Sequence, residues 1–312
     1  MKISYLTILS NQNLIPDLFL DDRWKRIPMG EKKEIIYSMF HIRNWKQLEP
    51  QYRIYILQEL ENINAYMQNR GASKLVLKSD MIDSIHTGPD KSEEIHISSN
   101  YVLNAIRYHM TIQEDGSSTI EEKVLDNENV ELFCSICHEG EHKKQEADIS
   151  RGVNTKEINE CRLNLLANPD NKEETNRISP SESPIFYKIQ PVEYYAFLNS
   201  EDMTRDVFAM LQTKFGIDDG FIEWAQRVKE NDFEKLAEKW NKDNDIKESA
   251  GIEYTVIGLR KKIINRMLDN IQRWYNIDGC FKACEWLNLD YHDYSPKMKD
   301  DWVLDFTTRD EL

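Results

Sequence analysis

Residues His138-Glu139-Gly140-Glu141-His142 spell HExxH, and no other stretch of the chain limits its folding so tightly. Side chains four apart on an α-helix share a face, so both imidazoles reach one ion only if this segment is helical. Glu139, next to the first histidine, then lies within reach of a water at the same ion and can act as general base. The motif therefore predicts a helix with a polar, functional side and a zinc hydrolase, most often a peptidase, with Zn2+ as its cofactor. The residues before it suit that demand. Val130, Phe133, Cys134 and Cys137 follow the i, i+3, i+4, i+7 spacing of a buried helical face, and Asn127 or Asn129 can cap the helix.

The same stretch contains Cys134-Ser135-Ile136-Cys137-His138, the CxxCH pattern of c-type haem attachment. Such attachment belongs to exported proteins, and the N-terminal segment Met1–Asp22 lacks the pattern of a signal peptide. A cytoplasmic location is expected, although an effector delivered without a leader would look the same. The odd count of 5 cysteines also favours a reducing compartment. Cys134/Cys137 with Cys280/Cys284 offer a rival, purely structural zinc site. Positions 134, 137 and 138 project in different directions from one helix, which counts against it.

Charge narrows the partners. The chain has 40 Lys and Arg against 55 Asp and Glu, a net charge of −15 that disfavours a nucleic-acid partner. No apolar run approaches the roughly 18 residues of a membrane span. A length of 312 residues suits one large or two modest domains.

Periodicity outlines the rest. Helices are expected over Glu31–Lys46 and Gln51–Asn69, the second with Tyr52, Ile56, Leu60, Ile63 and Met67 on one face. Lys74–Lys78 and Glu93–Ser99 read as strands, the latter half-buried because Ile95 and Ile97 alternate with polar neighbours. Arg107–Gln113 and Thr119–Val124 flank Asp115-Gly116, a hairpin signal. Asn168–Pro184, rich in Asn, Glu, Ser and Pro, reads as a mobile loop. A long helix is expected from Pro191, then helices near 218–243, 253–275 and 280–289. Val256, Leu259, Ile263, Met267, Ile271 and Trp274 form a stripe suited to a packed core.

A catalytic zinc needs a third protein ligand. Asp148 is excluded on a continued helix, where it would be rotated about 240° from His142. Two carboxylates stay open. Glu160 lies 18 residues past His142, a spacing similar to thermolysin-like gluzincins. Glu193 stands in Gln190-Pro191-Val192-Glu193-Tyr194-Tyr195-Ala196.

As a set, these residues resemble a family of small, mostly uncharacterised bacterial zincins often carried on mobile elements. In that family an HEGxHxxQ helix is followed by a QPxExxA helix. The resemblance runs from about Pro50 to Glu201. It takes in the helix from Pro50 to Gly71, the strand Ile95–Asn100, and His138-Glu139-Gly140 with His142 and Gln145. It continues through Glu157, Arg162 and Asn164 to Gln190-Pro191, Glu193, Ala196 and Glu201. The chain departs from the pattern at Glu141, where Arg is usual, at Lys143-Lys144, and at Tyr195, where Asp is common.

The resemblance implies an α+β, zincin-like fold with a small mixed sheet over the HExxH helix, to which the periodicity adds a helical C-terminal half. A metallopeptidase domain is expected over residues 1–215, of which 1–30 is an extension without clear pattern. The last hundred residues match nothing in that family, and their periodicity alone predicts a helical subdomain over 216–312. The resemblance also implies Glu193 as the third ligand, with Glu160 the runner-up. Tyr187, Tyr194 and Tyr195 lie beside that ligand and are candidates for stabilising the oxyanion. Zincins commonly take an extended polypeptide onto a sheet edge, which makes Ile95, His96, Ile97 and Ser98 the candidate substrate strand and Asn168–Pro184 a candidate lid. The alternative is a non-catalytic interaction protein that keeps a vestigial or structural zinc site.

Overall fold

A computed structural model describes residues 3–79, 81, 85–87, 93–112, 118–167, 183–244 and 255–294. The short helices Tyr5–Ser10 (α1), Ile15–Leu20 (α2) and Asp22–Lys25 (α3) precede Met29–Met39 (α4), Ile42–Trp45 (α5) and Pro50–Met67 (α6). Strands Lys74–Lys78 (β1), Ile85–Thr87 (β2) and Glu94–Ser98 (β3) follow, then Ser99–Asn104 (α7) and the hairpin Ile106–Ile112 (β4) with Ser118–Val124 (β5). The HExxH helix is Glu128–Ser150 (α8), succeeded by Lys156–Ala167 (α9), Pro184–Ile189 (α10) and Pro191–Phe215 (α11). Asp219–Glu230 (α12), Phe233–Asp243 (α13), Val256–Tyr275 (α14), Cys280–Leu287 (α15) and Tyr291–Tyr294 (α16) complete the chain's described helices. The class is α+β and mostly helical. No described helix is long and apolar enough to cross a membrane.

Helix α8 is central because its apolar residues face several neighbours at once. Val130, Leu132, Phe133 and Ile136 are fully buried. The Phe133 ring meets Tyr37, Phe40 and Phe208 edge-on, at centroid distances of 5.5, 5.1 and 5.6 Å. Edge-to-face contacts of this kind add about 0.5–1.5 kcal/mol each beyond simple burial. They tie α8 to α4 and α11, and α8 also packs on α6, α9, α12 and β2.

The helix expected over 31–46 is broken at residues 40–41 by polar contacts. His41 Nδ1 accepts from the Arg43 N–H at 3.3 Å, so its Nε2 donates to the Gly216 carbonyl at 3.1 Å. Asn44 caps the broken end by donating to the Ser38 carbonyl at 2.6 Å.

The three-stranded sheet has the order β1-β3-β2, with β1 parallel and β2 antiparallel to β3. The expectation of β3 as an open substrate strand therefore fails: its backbone is paired on both sides. Leu75 stands opposite Ile95 on one flank and Thr87 on the other. Both of its faces are covered too, since His96 and Ser98 are buried along with Ile95 and Ile97. The edges belong to β1 and to β2, a strand too short to show periodicity. The hairpin pairs Ile106 with Val124 through Ile112 with Ser118. Its Asp115-Gly116 tip lies outside the described residues.

Two apolar cores form, and they do not divide at residue 215. The first gathers α1–α8 and the sheet, and also takes Phe208 and Leu211 of α11 and Trp224 of α12. The second joins Leu163 of α9 and Phe186 of α10 to the stripe of α14, with Cys284, Leu287 and Tyr294. The α14 stripe needed a partner surface, and α9 and α10 supply it from within the expected N-terminal domain.

Close approach of α6 and α8 rests on Gly140. A Cβ there would lie 2.9 Å from Arg70 Nη2 and 3.4 Å from Glu61 Oε2. Those two side chains form a buried bidentate ion pair, at 2.6 and 2.9 Å, and cannot simply swing aside. Gly140→Ala should lower unfolding free energy by about 1–3 kcal/mol, the usual cost of overpacking. Arg70→Met should cost more, about 3–5 kcal/mol, because it strands the Glu61 carboxylate. Urea unfolding measures both, and a Gly140→Ala protein as stable as wild type would contradict the tight approach.

Candidate metal centre

Helix α8 carries His138, Glu139, His142 and Gln145 against the first turn of α11, where Pro191 occupies the first helical position and Glu193 the third. His138 Nε2 lies 3.3 Å and His142 Nε2 3.6 Å from Glu193 Oε2, and the two nitrogens are 3.1 Å apart. All three side chains are half-buried, and they are the only such donor group among the described residues.

Gln145 sets the chemistry of one histidine. Its amide nitrogen donates to the Val192 carbonyl at 2.9 Å, so its oxygen faces His142 Nδ1, 3.3 Å away. Nδ1 then keeps a proton whenever the ring is neutral, so Nε2 is the nitrogen able to offer a lone pair to a metal. That lone pair meets the nitrogen of His138 and the carboxylate of Glu193. Glu193 Oε2 is buried and makes no hydrogen bond. Electron-rich atoms this close repel unless a positive charge stands between them.

The residues present fit a zinc ion. Zinc bonds of about 2.0–2.2 Å at tetrahedral angles place donor atoms about 3.3–3.6 Å apart, close to the separations found. The donor set, two imidazoles and one carboxylate, is one that can hold a metal ion. The local field asks for a cation as well. Burial works against charge on His142, yet Glu193, then Glu139 and Gln145, push its pKa up to about 9. Burial likewise raises Glu193, but His142 and His138 override it and hold the carboxyl well below the usual range.

The other side chains have distinct places. Glu139 is buried beside the histidines, near enough for its charge to act on His142. His138 lies against the Phe197 ring at 4.5 Å, and its Nδ1 is buried with no hydrogen-bond partner, so packing alone orients it. Glu160 is not at the centre. It is buried under α14 and accepts from Arg260, Tyr294 and, at 3.0 Å, Tyr195.

That bond commits the Tyr195 hydroxyl elsewhere, which counts against its expected oxyanion role. Burial, then the Glu160 charge, push its pKa upward, so it stays a donor to Glu160. The Tyr194 ring lies under Arg260 at 4.0 Å and against Phe233 at 4.9 Å. Tyr187 packs edge-on against Phe197, 6.2 Å between centroids, and so borders the histidine side. His96 reaches Glu94 at 3.0 Å, and Ile95, Ile97 and Ser98 are buried within the sheet. The edges are β1 and β2, and β2 is the one that contacts α8. Most of the expected lid, residues 168–182, lies outside the described residues. The four-cysteine site does not form: Cys137 belongs to the first core and Cys284 to the second.

In the sequence, Gln145 stands out only as part of the HEGxHxxQ motif. Its place three residues after His142, on the same helical face, was the signal of its role as orienting partner. Gln145→Met, similar in size but unable to bond His142 or Val192, should weaken zinc binding about 10–100-fold in a chelator competition. Unchanged affinity would show that packing alone orients His142. Comparison of the chain with family models, with curated proteins and with solved structures found no match.

Proposed function

We propose that the chain is a zinc-dependent metallopeptidase in which His138, His142 and Glu193 hold the ion and Glu139 is the general base. The observation that carries this reading is the meeting of three donor atoms, all within 4.8 Å of one another, next to a buried carboxylate. A bound zinc ion would polarise the scissile carbonyl and lower the pKa of water towards about 7.

The chain's own residues supply the remaining steps. Glu139 takes the proton of the attacking water on its carboxylate and later delivers it to the leaving amine nitrogen. Gln145 keeps His142 in the tautomer that presents Nε2. Phe197, packed on His138, helps to exclude bulk water, which strengthens every charge interaction within. With Tyr195 committed to Glu160, Tyr187 and Tyr194 are left as candidate donors to the tetrahedral oxyanion.

The edge position of β2 beside α8 favours a polypeptide substrate laid along that strand. The chain's net charge of −15 favours a neutral or basic segment.

Elemental analysis of purified protein should find one zinc per chain, lost in Glu193→Ala. Glu139→Gln should keep zinc and fold but lose hydrolysis of a peptide library by at least about 100-fold, since an amide cannot take the proton. Wild type and Glu139→Gln behaving alike, both with full zinc, would turn the reading towards a metal-holding interaction protein. A wild-type protein without zinc would remove the metal reading altogether.

A further inference from the structure

Glu193 stands between two grips on the same stretch of chain. From α8, Gln145 donates to the carbonyl of Val192. From the opposite side, Arg260 of α14 holds the α10–α11 junction and the next turn together. Its Nη1 donates to the Ile189 carbonyl at 3.4 Å, just before the junction. Its guanidinium lies over the rings of Tyr194 and Tyr195, 4.0 and 5.0 Å from their centroids. Its other end pairs with Glu160, which receives the Tyr195 and Tyr294 hydroxyls as well. Cys161, next to Glu160, approaches the Pro191 carbonyl at 3.9 Å.

Burial makes this arrangement costly to keep for stability alone. The Glu160 side chain is 2% exposed and that of Arg260 11%. A buried ion pair seldom stabilises a fold more than apolar residues of the same size would. What it does supply is one defined geometry, because a planar guanidinium fits a carboxylate, a carbonyl and two rings in one orientation. Here that orientation fixes both residues that follow Glu193.

We propose that Arg260 is a positioning residue of the metal centre: paired with Glu160, it clamps the turn of α11 that presents Glu193 to the histidines. The C-terminal helices α14 and α16 are then part of the centre and not an appended layer. This inference rests on the metal reading above.

The test uses the full chain with zinc and, separately, cobalt as probes. Arg260→Lys keeps the charge but cannot stack and reach both partners. Arg260→Met with Glu160→Gln removes both charges and leaves an oxygen for the tyrosine hydroxyls. In each, zinc affinity by chelator competition should fall about 10–100-fold, the range for residues that orient metal ligands. The visible absorption of the cobalt-loaded protein should change with it, because Glu193 has moved. A purely structural role predicts a lower unfolding temperature with wild-type affinity and spectrum in the folded protein, and that result would overturn the clamp. If both Arg260 variants fail to fold, Tyr195→Phe decides by the same two readouts, with a smaller loss expected. Failure of wild type to take up zinc would instead defeat the metal reading itself.

Discussion

The contact of α8 with the first turn of α11 is the constraint on which the rest of the molecule depends. One helix brings two imidazoles and a carboxylate, the other brings a second carboxylate, and the proposed metal centre needs both. Apolar packing presses the helices together where Phe133 meets Phe208. A hydrogen bond from Gln145 to Val192 then sets their register at the donor atoms. Dispersion and burial are non-directional, so they can close the interface but cannot choose which residue faces which. The directional bond does that.

Polar groups are concentrated around this interface to a degree that a purely stabilising design would avoid. Glu61 with Arg70 lies beneath Gly140, while Glu141 accepts from Gln68 and Asn199. Glu160 with Arg260 lies beyond Glu193. Buried charges of this kind need exact partners, so each pair removes alternative packings of the helix that carries it. Gly140 permits the closest of these approaches, since any side chain would strike Arg70. The glycine inside HExxH thus has a packing reason independent of the proposed chemistry.

Much was legible in the chain before its fold was known. Helices α6, α8 and α14 follow from long apolar periodicities, β3 from a short alternation, β1 from a short apolar run and the hairpin from its Asp115-Gly116 turn signal. The elements that escaped are short or polar. Strand β2 has 3 residues, too few for a period, and α10 has 6. The order of the strands escaped for another reason. Alternation in Ile95 and Ile97 reports one buried face, but says nothing of a second covered face or of which strand lies at the edge. Glu160 and Glu193 were likewise close rivals, because both are single glutamates on helices and spacing along the chain does not measure distance in space.

By itself, the sequence determined that His138 and His142 share one helical face with Glu139 at its border, since 3.6 residues per turn leaves no other arrangement for a helix that long. It also determined where α11 begins, because proline is tolerated in the first turn and not further in. Only the tertiary structure decided that Glu193 and not Glu160 meets the histidines. That choice depends on Gln145 reaching Val192 across 47 residues of chain and on Arg260 reaching Glu160 across 100. Local spacing governs which groups point the same way on one helix. Which distant carboxylate arrives beside them is settled by the summed packing of two cores, and no single stretch of sequence contains that sum.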